Sequence, residues 1–159
     1  MKNLRARVIG VCLMLSGLSA TAQHDPLPIN EPDYNRPKLF QSLPTEIPVN
    51  AVELNQLLSE PVGKVLSVNL SDRADVPFRL DGQVVGASND AQLNLETLNL
   101  RTSNYPGAML TISRTRKPEG GYRYIGRLLS FQHGDLYELQ ERNGRLVLVK
   151  RNFYDLVNE

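Results

Sequence analysis

From Lys64 onwards the chain is punctuated by turn chemistry at short intervals, and this limits its fold more than any other feature. Asp81-Gly82, Asn89-Asp90, Tyr105-Pro106-Gly107-Ala108, the KPEGG run 117–121, His133-Gly134 and Asn143-Gly144 cut the sequence into runs too short for stable helices. Asp-Gly and Asn-Gly pairs readily supply the left-handed backbone that tight hairpins require. The runs between them alternate. In KVLSVNL (64–70), Val65, Ser67 and Asn69 fall opposite Leu66, Val68 and Leu70, the period of a half-buried strand. Seven or eight short strands spaced in this way predict a mainly β fold, an antiparallel sandwich or a partly open barrel.

The turns also predict registers. Asp81-Gly82 reads as a two-residue hairpin loop between PFRL and QVVGAS. Leu93 and Leu95 change parity to Leu98 and Leu100, which predicts a bulge or break near Thr97. A two-residue loop at His133-Gly134 pairs Gln132 with Asp135, and one at Asn143-Gly144 pairs Arg142 with Arg145. A five-residue KPEGG loop pairs Arg116 with Tyr122 and Arg114 with Tyr124, and aligns Leu110 and Ile112 with the core. The core face then carries Tyr122, Tyr124, Leu128, Tyr137, Leu139, Leu146 and Leu148. The second face is mixed, with Arg123, Ile125, Arg127, Leu129, Glu138, Gln140, Val147 and Arg151. Its Leu129 and Val147 portion is expected to lie under the helix or the tail.

Upstream of the strands, Asn50 is a competent N-cap, followed by Glu53 in a loose capping-box pattern. Ala51, Leu54, Leu57 and Leu58 make one apolar stripe, and Pro61 and Gly63 close the segment. So short a helix is marginal alone and must pack on the sheet. Six of the ten prolines fall between Gln23 and Pro48. This 23–48 arm is a poor helix and a poor central strand, expected to be extended, with Leu39, Phe40 and Ile47 able to pin its later part. Residues 49–159 form the predicted β-rich domain.

The first 22 residues read as a secretory signal peptide. Lys2, Arg5 and Arg7 precede the apolar run Val8–Leu18, and Ala20-Thr21-Ala22 is a cleavage site before Gln23. The run is shorter than the roughly 20 residues of a membrane span, so no transmembrane anchor is expected in the mature chain. Cys12, the only cysteine, falls inside the signal. An exported domain without disulfides suggests a bacterial protein of the periplasm, cell surface or medium.

Charge is uneven. Residues 23–100 hold five basic and 11 acidic groups, and residues 101–159 hold ten basic and six acidic. The C-terminal half could steer an anionic partner or simply attract the N-terminal half. Neither value resembles the strongly basic footprint of a nucleic-acid binder.

The inventory for catalysis is thin. His133 is the single histidine of the predicted domain and sits in a hairpin tip, where His-Gly-Asp is first of all a turn. No thiol nucleophile, G-x-S-x-G elbow or cysteine zinc site occurs in the mature sequence, and no cofactor or metal is implied. Asp72, Asp75 and Asp81 cluster in SDRADVPFRLDG, with Arg73 and Arg79 as neutralising neighbours. The Asn69-Leu70-Ser71 sequon reads as a chance match within a strand. The expected function is a non-catalytic binding or structural module contacting another envelope or secreted protein, with Arg114, Arg116, Tyr122 and Tyr124 as binding residues. A secreted protease inhibitor or propeptide-like β domain is one alternative, and a small hydrolase using loop carboxylates is another.

Overall fold

The structure is a computed structural model that describes residues 35–153. The signal-like segment 1–22, the first part of the proline-rich arm (23–34) and residues 154–159 lie outside the described residues. Eight strands form one antiparallel sheet: β1 (Glu46–Pro48), β2 (Val65–Asn69), β3 (Arg79–Asp90), β4 (Leu95–Thr102), β5 (Met109–Arg116), β6 (Tyr122–Ser130), β7 (Asp135–Arg142) and β8 (Arg145–Asn152). A single helix, α1 (Ala51–Leu58), lies between β1 and β2. The strand order is β1-β8-β7-β6-β5-β4-β3-β2, so β2 to β8 form an uninterrupted meander to which β1 adds at the β8 edge. The sheet curls into a half-barrel, the partly open form of the expected mainly β architecture. Its two edges meet where Val49 bridges Ser71, with the Asn50 amide donating to the Leu70 carbonyl and that of Asp72 to Pro48.

Two of the predicted registers are observed. Arg116 faces Tyr122 and Arg114 faces Tyr124 across the KPEGG loop, whose Gly120 and Gly121 both have positive φ. Arg142 faces Arg145 across Asn143-Gly144. The β6–β7 connection is a correction. Phe131–His133 form a 3-10 turn ending at a left-handed Gly134, and Ser130, not Gln132, pairs with Asp135. The shift from the expected register is two residues, so every side chain keeps its predicted face.

Asp81-Gly82 is a second correction. It lies inside the continuous strand β3, with Gly82 paired to Leu66 on one side and Thr102 on the other. A Cβ on Gly82 would stand 2.3 Å from the Arg101 carbonyl oxygen. The glycine therefore serves close backbone approach between strands rather than a turn. The irregularity expected near Thr97 is also displaced. Strand β4 runs straight, and the bulge is in β3 between Val84 and Gly86. Leu95 changes parity because it pairs with Thr115 on the outer face, while Leu93 sits in the β3–β4 turn.

The interior is filled from both ends. At one end Leu54, Leu57 and Leu58 of α1 pack against the inner face with Val49, Leu70, Leu110 and Ile112. The Asn50 side chain caps α1 by accepting from the Val52 amide at 2.9 Å. The helix thus covers the inner face, not the Leu129 and Val147 portion of the outer one. At the other end the arm enters: Phe40 and Ile47 are fully buried, and Leu39 packs on the same core. Phe40 contacts Tyr105 and Tyr137 at ring separations of 5.5 Å, and Phe78 completes an aromatic quartet. Phe40→Ala should lower unfolding free energy by about 3–5 kcal/mol in urea titration, the range for a fully buried aromatic.

Tyr137 is fully buried and donates its hydroxyl to the Pro44 carbonyl. Burial raises its pKa above that of a free tyrosine. Its folded pKa exceeds the unfolded one, so its contribution to stability is intact below about pH 10 and is lost as pH rises past that value. The urea midpoint should fall on alkalinisation, and the fall should be smaller in Tyr137→Phe.

Candidate functional site

The four residues singled out in the sequence come together only in part. Arg114, Tyr122 and Tyr124 meet at the α1 end of the sheet. The Arg114 guanidinium donates to the Asn55 side-chain oxygen of α1 and pairs with Glu96 of β4. It also lies 4.5 Å from the Tyr122 ring centre. The Tyr124 hydroxyl donates to the same Asn55 oxygen at 2.7 Å. Tyr122 and Tyr124 are neighbours at 6.3 Å, with Tyr122 44% exposed and Tyr124 packed on the core. The Arg114 side chain is only 14% exposed. This rim therefore ties helix to sheet: Asn55 accepts from two strands at once. Arg116 faces Tyr122 in register but is exposed and has no ion pair among the described residues.

The His133-Gly134-Asp135 segment holds the arm. The Asp135 carboxylate, 8% exposed, accepts from the amides of Leu39 and Phe40. Lys38 donates to the His133 and Gly134 carbonyls at 2.7 and 2.9 Å. The His133 Nδ1 lies 2.8 Å from the Pro37 carbonyl oxygen. Lys150 closes the clamp with bonds to the Phe40 and Leu43 carbonyls. The sequence gives little sign of these roles, because the partners stand about 95 residues apart and are backbone atoms.

Of the three clustered carboxylates two are paired, and Asp72 has no ion pair among the described residues. Asp75 binds Arg73 and Asp81 binds Arg79, and these contacts hold both carboxyls below the usual aspartate pKa, for Asp81 with a Ser67 hydrogen bond as the larger cause. Asn69, first residue of the sequon, accepts from the Ser71 and Phe78 amides and so fixes the loop between β2 and β3. Between α1 and the sheet, Val49, Leu54, Leu70, Leu110, Ile112, Leu139 and Leu148 close around a residual gap with no room for water.

The outer face carries a feature the sequence only partly signalled. A groove of about 600 Å³ runs over β5 and β6, with Met109, Ile125, Leu129 and Phe131 as its apolar lining. Ile125 is 56% exposed and Phe131 40%. Thr111 and Ser113 form one wall, their hydroxyls bonded across strands to Asn99 and Thr97. Ile125 and Leu129 belong to the mixed face expected from the sequence. Met109 shares that face because it pairs with Leu129, and Phe131 reaches the groove only because the β6–β7 connection is a 3-10 turn. Phe131 also meets Phe153 edge to face at 5.3 Å.

The chain matches no protein-family model, no curated protein and no solved structure.

The rim and Arg116 should respond differently to substitution. Arg114→Met strands Glu96 and one Asn55 contact, and should cost about 1–3 kcal/mol of stability. Arg116→Ser, at an exposed strand end, should stay within about 0.5 kcal/mol. Chemical denaturation of the two variants checks both.

Proposed function

We propose that the protein is exported after cleavage behind Ala22 and acts in the periplasm or beyond as a non-catalytic binding module for another envelope or secreted protein. One observation carries this reading: the half-barrel interior is filled by its own side chains, while the exterior of β5 and β6 keeps an open apolar groove. Recognition then belongs on the outside. Met109, Ile125 and Phe131 remain exposed there beside polar residues, and this makes the face the candidate interaction surface. The half-buried ring of Tyr122 and the exposed Arg116 give a second contact area at the α1 end, and the proline-rich arm gives a third.

A photo-crosslinking residue placed at Ile125, Tyr122 or Val65 of the exported chain tests this in intact cells. Val65 is the control, being 71% exposed on the β2 edge strand, away from the groove. A discrete adduct of defined mass should arise from Ile125 and not from Val65. Adducts from Tyr122 alone would move the contact to the rim. No adduct from either, or equal labelling at Val65, would overturn the reading.

A further inference from the structure

Charge accompanies the apolar lining: Arg127 lines the groove, and Arg123 and Arg101 lie on the same sheet face beside it. Along the outer face of β6 the sequence places Arg123, Ile125, Arg127 and Leu129 at every second residue, a spacing of about 6.6 Å between successive side chains. Met109 and Arg101 continue the same face onto β5 and β4, because Met109 pairs with both Leu129 and Arg101. Arg101, Arg123 and Arg127 are exposed, and none has an ion pair among the described residues. Glu138 stands opposite Arg127 in register, but its carboxylate receives Gln140 and Arg151 instead. The wall hydroxyls of Thr111 and Ser113 already have protein partners. The exposed charge beside the groove is therefore guanidinium.

A second cleft of about 670 Å³, beside β1 and β8, carries more of its charge in pairs, its charged lining being Glu46, Arg73, Arg142 and the exposed Arg145. There Arg142 is paired with Glu46, and Arg73 with Asp75.

We infer that the β5–β6 groove takes an extended acidic–apolar segment of a partner protein, its carboxylates meeting Arg123 and Arg127 and its apolar side chains filling the places over Ile125, Leu129 and Phe131. This rests on the binding-module reading and adds the chemistry of the partner. An extended chain repeats its side chains on one face at the same two-residue interval as β6, so the matching pattern is an acid and a large apolar residue alternating at every second position. The alternation of charged and apolar residues along β6 favours such a segment over a compact ligand. Carboxylate on arginine adds bidentate geometry to the charge attraction.

The probe is a fluorescent peptide with glutamate and leucine alternating at every second position and serine between them. Its binding to the mature protein, residues 23–159, is read by anisotropy. Three comparators accompany it: a lysine-for-glutamate version, a same-composition peptide with the glutamates and leucines in separate blocks, and phosphatidylglycerol vesicles. The alternating acidic peptide should bind at least tenfold tighter than the lysine version and more tightly than the block peptide. Its affinity should drop on adding salt, because exposed charges are screened. The double variant Arg123→Gln/Arg127→Gln should lose at least tenfold, while Arg123→Lys/Arg127→Lys keeps the acidic preference and controls for folding. Equal binding of the lysine peptide, unchanged affinity in the glutamine variant, no peptide binding, or binding of vesicles alone would each overturn the proposal. An Ile125 adduct that persists in the glutamine variant would leave the binding-module reading standing while this partner chemistry fails.

Discussion

A sheet that curls on itself encloses a cylinder with two open ends, and the fold depends on what fills them. Neither plug comes from the meander. Both come from the short stretch before β2: Phe40, Leu43 and Ile47 at one end, Leu54, Leu57 and Leu58 at the other. The connecting residues Pro48 and Val49 leave β8 and join the opposite edge near Leu70 and Ser71. One segment of about twenty residues thus closes the sheet edge to edge and seals its interior. Without it, the inner faces of β4, β5 and β6 would present Leu98, Leu100, Leu110, Ile112 and Leu128 to water, although all are now essentially inaccessible. Apolar burial on that scale dominates the stability of a domain without disulfides.

That dependence explains where the buried polar groups went. Phe40 can sit among Phe78, Tyr105 and Tyr137 only if the arm's backbone amides and carbonyls find partners beside it. Asp135 takes the amides of Leu39 and Phe40, Lys150 takes the carbonyls of Phe40 and Leu43, and Tyr137 takes that of Pro44. Prolines suit this path: Pro37, Pro44 and Pro48 remove donors that an irregular segment would otherwise have to satisfy. The triplet His-Gly-Asp, which resembles a fragment of a catalytic or metal-binding arrangement, is then a turn and an anchor.

The fold was legible in the sequence to the extent that local chemistry determined it. Alternation in KVLSVNL, the KPEGG loop and Asn143-Gly144 led to the right faces and two correct registers, because each rests on residues close in sequence. The errors share one cause. Gly82 reads as a turn from composition, but glycine also answers a need that no neighbour in sequence reveals, such as the Arg101 carbonyl pressing on Gly82; His133-Gly134 is a turn as expected, but a 3-10 turn that moves the pairing by two residues. Leucine parity points to a bulge or break near Thr97 of β4, whereas the extra residue sits in its partner β3. Pairing partners decide such matters, and they are distant in the chain. The rim was found because its strands are hairpin neighbours. Its anchor Asn55 and its counter-ion Glu96 were missed, lying 59 and 18 residues from Arg114.

The same strand, β6, presents arginine and aliphatic side chains outward and tyrosine and leucine inward, and the two faces treat charge oppositely. On the inner face, next to the helix, Arg114 of the neighbouring strand is mostly covered, and its charge is met by Glu96 and Asn55. A covered guanidinium without those partners would be costly, so that cluster is determined by folding. On the outer face Arg123 and Arg127 stand exposed in water, where a carboxylate partner would add little to stability. Folding therefore does not require one there, and the structure supplies none by ion pairing. Alternation with Ile125 and Leu129 is likewise unnecessary for a solvent-facing strand, where polar residues would serve as well. A face that combines apolar exposure with open cationic capacity is poorly explained by the needs of the fold, and it is on such a face that a binding module has room to carry specificity.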